Sequence, residues 1–485
     1  MGDGDDVSQE GPGRQFELRH AMRNILIAWL FGAAWFFTTS GAPLTRFAKL
    51  LGLPPFGFGV LAALPFLGAL MELPASLFIA RYGHRKRLII AAGMAYRALW
   101  IAIALIPWVL PAPWWWPALL VIRALSSLGG HVMRPAVLSW FADVIPGRIR
   151  GRFFSRWTQG GRLVGLAVTL VVGPVLDWAH GVSEAALCRT ISVAFVVAAI
   201  LGMIDFLWLL PIPDVEHRPE RRISLRRLFG EPLRDKNFRH YLGFTMTLTL
   251  AMGYIGQFVY LYLFDVVGAN HSQANIMLQA VPLVISILVV RPWGRLIDRL
   301  GCKPTLVIAG VLIIHGAAAW ILVTPQHPWL GYPVVVVAMA AWPGVELANF
   351  NMLLAMSESQ KGRRQGSAYV AVNSVAVAVA GTLSGLLGGA MAKALGDWRG
   401  SLLGLTITYH GVLFLVSGAL RFLALLWLIG LKEPDAYPTR AAVRYVFANV
   451  YSNLQQALFA PARALLRVGR LAVELSQRRR KERRG

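Results

Sequence analysis

Twelve stretches of this chain stay apolar over about 20 residues, the length a helix needs to cross a hydrocarbon core of roughly 30 Å. They run at about Arg23–Leu44, Pro55–Ile79, Leu88–Val109, Trp116–Phe141, Gly161–Leu176, Leu187–Leu210, Tyr241–Val266, Ala274–Leu296, Thr305–Thr324, Trp329–Met356, Ser367–Ala394 and Leu403–Leu431. The fifth is short on hydropathy and is expected to begin inside the basic turn before it, near Phe153. Lipid offers backbone groups no hydrogen-bond partners, so spans of this length are helices. The composition agrees: 56% of the 485 residues are apolar and 15% charged, where a soluble domain is about 45–50% apolar. The expected fold is an all-α membrane protein.

The net charge of +24 would suit a nucleic-acid binder, but its placement does not. Lys and Arg lie in short connectors and one tail. One set of connectors holds Arg81, Arg85, Lys86 and Arg87, then Arg148, Arg150, Arg152 and Arg156, then Arg299 and Lys303, then Lys361, Arg363 and Arg364. The alternate set holds Arg46, Lys49, Arg189, Lys393 and Arg399. The positive-inside bias therefore puts both termini in the cytoplasm, and a plasma (inner) membrane is expected. Residues 1–21 read as a disordered tail. Residues 22–211 and 241–431 read as two six-helix bundles, joined by a basic linker over 212–240. Residues 432–485 read as a basic amphipathic tail. Linker and tail are expected to hold anionic lipid headgroups. Cys188 and Cys302 fall on opposite sides of the membrane and cannot pair.

The bundles are related by an internal repeat. Shifted by 215 positions, Gly129 meets Gly344, His131 meets Glu346, Asp143 meets Glu358, Gly147 meets Gly362, Arg148 meets Arg363, Gly151 meets Gly366 and Phe154 meets Tyr369. Between spans eight and nine stand Gly294, Asp298, Arg299 and Gly301; between spans two and three stand Arg81, Gly83, Arg85 and Lys86. Both resemble the G-x-x-x-D-R-x-G-R-R-K motif of the major facilitator superfamily. The first copy departs from it, with Ser76, Ala80 and His84 at the leading Gly, the Asp and the first Arg of the tail. Arg123 in RALSSLGG resembles that family's span-four Arg. Gly173-Pro174 resembles its antiporter motif, although Thr169 and Asp177-Trp178 replace glycines there. The resemblance implies twelve transmembrane helices in two pseudo-symmetric bundles, with spans one, four, seven and ten lining a central cavity. It also implies a latch at the cytoplasmic rim, here resting on Asp298 with Asp143 and Glu358. The Gly385, Gly388 and Gly389 set in span eleven is explained by close helix packing.

Charge at the bilayer centre costs about 2.5–3.5 kcal/mol on insertion scales, so such residues face a cavity and a partner. In span four, Arg123, Ser127, His131 and Arg134 recur at spacings of four, four and three on one face. Span ten carries Glu346 and Asn349 at the matching repeat positions. His131 and Glu346 each lie about eleven residues, roughly 16 Å, from the cytoplasmic end, near the midplane where repeat-built transporters bind substrate. On the family's plan the two face each other, with Tyr254, Gln257 and Tyr260 of span seven and Trp35, Thr38 and Thr39 of span one beside them. Pro343-Gly344 is expected to loosen span ten. Glu72 with Arg97 is expected to pair within the first half, and Asp205 and Arg421 to have structural roles. His315 and His410 are expected to be packing residues.

No P-loop, Ser/His/Asp triad or metal-ligand cluster stands out. Neither enzyme activity nor cofactor nor metal is expected. The expectation is a monomeric secondary transporter that moves a small organic solute by alternating access, with protons as the default driving ion and sodium coupling and uniport left open. Glu346 is expected to titrate as its coupling carboxylate, with His131, Arg123 or Arg134 tuning it or holding an anionic solute. The cations of span four point to an amphipathic anion as solute. The other reading, resting on the lost carboxylate at Ala80, is a non-translocating sensor or lipid-handling protein of the same shape.

Overall fold

The computed structural model describes residues 12–213, 230, 232–358, 366–402, 404–433, 436–438, 440–442 and 444. Most of the linker, Arg363 of the basic turn and the tail from 445 onward lie outside the described residues, as do the side chains of Arg148 and Glu358.

The first bundle contains span one (Pro12–Thr38), span two (Pro55–Ala69 and Glu72–Tyr82), span three (Arg85–Val109), span four (Trp115–Val144), span five (Gly147–Val182) and span six (Glu184–Leu207). The second contains span seven (Lys236–Met252 and Phe258–Tyr262, ending in a wide turn over Leu263–Val267), span eight (His271–Asn275, Ile276–Ala280 and Val281–Leu300), span nine (Cys302–Ala318), span ten (Gly331–Glu358), span eleven (Gly366–Leu395) and span twelve (Tyr409–Gly430). Ten of these meet the length and apolarity of a membrane span on their own. The other two are span four, diluted by its polar face, and span seven, which is broken. Two elements were not foreseen: a short helix, Ala42–Leu50, and an antiparallel hairpin between spans eleven and twelve, β1 (Arg399–Leu402) with β2 (Leu405–Thr408).

Several boundaries move. Span one begins at Pro12, inside the stretch expected to be disordered. Span five extends from Gly147, so the basic turn is its first two turns. Span two breaks at Leu70–Met71, just before Pro74, which has no N–H for the Leu70 carbonyl. Span ten, expected to loosen at Pro343-Gly344, is continuous. Trp293 packs on Gly344, and its indole donates to the Ala340 carbonyl at 2.6 Å, which supports that turn. The break falls in span seven instead. There the Gly253 N–H leaves the helix and donates to Ser384 Oγ at 2.8 Å.

Each basic turn is tied to its own bundle by the same device. Lys86 Nζ donates to the Leu210 and Ile212 carbonyls, both at 2.7 Å. Lys303 Nζ donates to the Leu431 carbonyl at 2.7 Å. A lysine thus satisfies carbonyls freed at the end of the last span of each half. Gly83 and Gly301 turn the chain with φ of 72° and 94°, where a Cβ would be strained.

The halves meet along two seams, both toward the end away from the basic turns. Spans two and eleven touch through glycine. A Cβ on Gly385 would come within 2.6 Å of the Gly59 carbonyl and 2.7 Å of the Ala63 nitrogen; one on Gly389 would lie 2.7 Å from the Phe56 carbonyl. Spans five and eight join through a carboxylate. Asp177 accepts from the backbone N–H groups of His271 at 2.7 Å and Ser272 at 3.0 Å, from His271 Nδ1 at 2.8 Å and from the Ser272 hydroxyl. It therefore caps the N-terminus of a helix in the other half. Lys49 and Asp265 pair beside it at the surface.

Candidate functional site

Between the halves lie two adjoining cavities that share Phe36, Ser40 and Gln257. The larger, about 580 Å³, takes Arg162 from span five, Tyr260 from span seven, Gln279 and Ser286 from span eight, and Trp342, Glu346 and Phe350 from span ten. The smaller, about 280 Å³, takes Thr39 from span one, Pro65 and Phe66 from span two, Arg123 from span four and Gly253 and Gly256 from span seven. Gln257 is exposed to both because the break in span seven turns its side chain inward; its Oε1 accepts from Thr45 Oγ1 at 2.6 Å. The break in a cavity-lining helix is thus also what places a polar amide where the cavities join.

Three charges face this space. Arg123 stands with its guanidinium 5.5 Å from the centre of the Trp100 ring, and its Nε is buried without a hydrogen-bond partner. Among the described residues it meets no carboxylate. Arg162 lines the larger cavity and likewise has no ion-pair partner among the described residues. Glu346 accepts from the indole N–H of Trp342, one turn before it, at 2.7 Å, and pairs with no cation among the described residues. The cavity therefore holds two cations from the first half and one carboxylate from the second, none neutralised by direct contact.

The remaining candidates on span four have different partners from those expected. His131 Nδ1 lies 2.8 Å from Glu72 Oε1, and Arg134 donates to the same oxygen at 3.1 Å. His131 therefore does not face Glu346. It belongs to a three-residue cluster inside the first half, where the break in span two brings Glu72 to span four. Glu72 is thereby unavailable to Arg97. Arg97 instead donates to Asp205 at 3.1 Å and stacks 3.4 Å above the Trp35 ring. Trp35 is turned into the bundle with Tyr96 and Trp100, away from the cavity. Ser127 donates to the Leu64 carbonyl at 2.8 Å and fixes span four to span two. Thr38 donates back to Ala34. Tyr254 is buried in apolar packing, and the Asn349 carbonyl accepts from Tyr241 at 3.2 Å. Arg421 donates to the Ile313 carbonyl at 3.0 Å and His315 faces its own helix at Val311. His410 stacks on Tyr409.

At the basic end, Asp143 accepts from Arg85 at 2.6 Å. Both belong to the first half, so the contact ties spans three and four together and does not reach Asp298. Asp298 and Arg299 are exposed, and Gly294 faces Leu347 of span ten.

Arg162 is the residue that sequence reasoning missed. The apolar run of span five begins at Gly161, so Arg162 sits at its edge and passes for a flanking cation even with the helix begun near Phe153; in the helix from Gly147 it is ten residues past Arg152 and lines the larger cavity.

Residues 25–383 match the family model described as Major Facilitator Superfamily. No curated protein sequence matches the chain. Among solved structures it is similar to the nucleoside transporter NupG, at 14% identity and a TM-score of 0.60, over 86% of this chain and 98% of that one. It is similar to a bacterial homolog of the human lysosomal transporter Spinster, solved inward-facing and unoccupied, at 15% identity and 0.58, over 88% and 100%. It is also similar to a POT family transporter in complex with 5-aminolevulinic acid, at 12% identity and 0.60, over 84% and 95%.

Proposed function

The chain belongs to the major facilitator superfamily, and from that premise we propose that it is a proton-coupled secondary transporter of a small organic anion. The observation that carries this reading is the charge balance of the central cavity. Arg123 and Arg162 come from one half, Glu346 from the other, and none has an ionic partner among the described residues. A charge held at such depth without a protein partner is costly, and a ligand is the group that offsets it. The acidic group of the solute would lie toward the two arginines. Its apolar body would lie against Phe36, Trp342 and Phe350, and Glu346 would carry the proton. The cavity volumes of about 580 and 280 Å³ suit a solute of metabolite size. Two structural relatives, a nucleoside transporter and a POT family transporter in complex with 5-aminolevulinic acid, are associated with small organic solutes of that order.

The positive-inside bias supports a cytoplasmic basic end, in our reading at a plasma (inner) membrane. The two seams then close the outer end, and alternating access requires them to open while the basic end closes. Asp298 with Glu358 and Arg363 would supply contacts there. The basic linker and tail would lie on anionic lipid, and the working unit is a monomer. His131 leaves the coupling scheme and becomes a support for span two.

Vesicle uptake decides the point. Glu346→Gln is expected to lower accumulation driven by an inward proton gradient at least tenfold while solute binding persists. Arg123→Gln is expected to lose binding itself. Unchanged uptake with unchanged pH dependence in Glu346→Gln removes the coupling role. Saturable binding with no flux in the wild type supports the non-translocating reading instead.

A further inference from the structure

Where spans one and five run side by side at the basic end, they enclose a cleft of about 340 Å³ separate from the central cavities. Two arginine pairs border it. Arg19 and Arg23 are one turn apart on span one, and Arg152 and Arg156 are one turn apart on span five. Each helix sets an apolar pair beside its arginines, Met22 with Leu26 and Ile149 with Phe153. Among the described residues, no carboxylate lines the cleft. Further along the same two helices, Trp29 and Trp157 stack at 4.1 Å between ring centres.

Several other basic residues at this end are engaged by the protein itself. Arg85 pairs with Asp143, Lys86 donates to two carbonyls, Arg150 donates to the Ile145 carbonyl and Lys303 donates to the Leu431 carbonyl. Arg19, Arg23, Arg152 and Arg156 make no hydrogen bond or ion pair among the described residues. Like charges one turn apart on a helix repel, and here two such pairs face one cleft. Loop charge that only sets topology does not need to converge from two helices.

We propose that this cleft binds the phosphate of an anionic phospholipid. The planar guanidinium fork matches phosphate oxygens, to which each arginine can donate two hydrogen bonds. Free phosphate would satisfy the charges but has no use for the apolar walls. A phospholipid uses both: its phosphodiester lies among the four arginines, and its first acyl methylenes lie along Met22, Leu26, Ile149 and Phe153. The site ties span five, which carries Arg162, to span one, which carries Phe36, so an occupying lipid would brace one wall of the central cavity.

The test compares the full-length protein in nanodiscs of phosphatidylglycerol and of phosphatidylcholine, with retained lipid counted by native mass spectrometry after transfer to detergent. Wild type is expected to retain phosphatidylglycerol selectively. Arg152→Gln/Arg156→Gln and Arg19→Gln/Arg23→Gln are each expected to lower that retention at least tenfold, and Arg152→Lys/Arg156→Lys to restore much of it. Arg291→Gln/Arg295→Gln, at the exposed basic end of span eight, is expected to retain lipid as wild type does. Equal retention by wild type and either cleft double variant overturns the proposal. So does a thermal shift with inorganic phosphate that matches the shift with phosphatidylglycerol, since that marks a free-anion site. Should one double variant fail to fold, the other and the lysine pair decide the question.

Discussion

The two seams between the halves occupy equivalent places in a duplicated architecture, yet they use different chemistry. Spans two and eleven close by removing side chains, with Gly59, Gly385 and Gly389 bringing backbone against backbone. Spans five and eight close by adding one, with Asp177 capping a helix that belongs to the other half. The repeat equivalent of Asp177 in span eleven is Ala392, buried and apolar. The first seam is held by dispersion over a large smooth contact and has no switchable element. The second concentrates its stabilisation in four hydrogen bonds to one charge, each of the stronger, charge-assisted kind. A transporter that must reopen this end has a hinge-like surface on one side and a latch on the other.

The largest expected effect is on the glycine seam. Gly385→Leu forces a side chain into the Gly59 carbonyl, and overpacking of this kind costs about 1–3 kcal/mol or more. The closed end opposite the basic turns should be nearly depopulated, read as lost cross-linking between cysteines placed at Lys49 and Asp265. Asp177→Asn should act next. It keeps the shape of the side chain but removes its charge, and hydrogen bonds to charged groups contribute about 1.5–3 kcal/mol. A fall in the closed-to-open ratio of about tenfold is expected, measured by spin-label distances between the ends of spans five and eight away from the basic turns. An unchanged ratio would mean the capping contact is incidental to closure. Lys49→Gln should have the smallest effect, within about 1 kcal/mol, because its pair with Asp265 is partly exposed and screened. If Lys49→Gln moved the equilibrium as much as Asp177→Asn, the latch would lie at the surface and the comparison between seams would need redrawing.

The mixed outcome for the charged residues has a consistent cause. Helical periodicity places Arg123, Ser127, His131 and Arg134 on one face, and depth from the helix end places His131 near the midplane. One face of a helix spans enough arc to meet different neighbours at different heights. Arg123 therefore reaches the cavity, while His131 and Arg134, two and three turns further on, reach Glu72 of span two. That partner depends on the break at Leu70–Met71, which Pro74 marks in the sequence without specifying where Glu72 then points. Arg97 and Asp205 illustrate the same limit. Both are visible as intramembrane charges, but only packing shows that Glu72 is already engaged and that Asp205 is left for Arg97. Arg162 stands at the edge of the apolar run of span five, and only packing shows that it lines the cavity.

Span number, the repeat, the family's motif and the basic end were legible in residue order, since each depends on local composition or on spacing along one helix. Lipid enforces this locality by requiring every span to satisfy its own backbone. The pairing of charges, the break in span seven that turns Gln257 inward and the unequal seams were decided by tertiary structure. Each depends on which two helices lie side by side at a given depth, and no periodicity within a single helix carries that information.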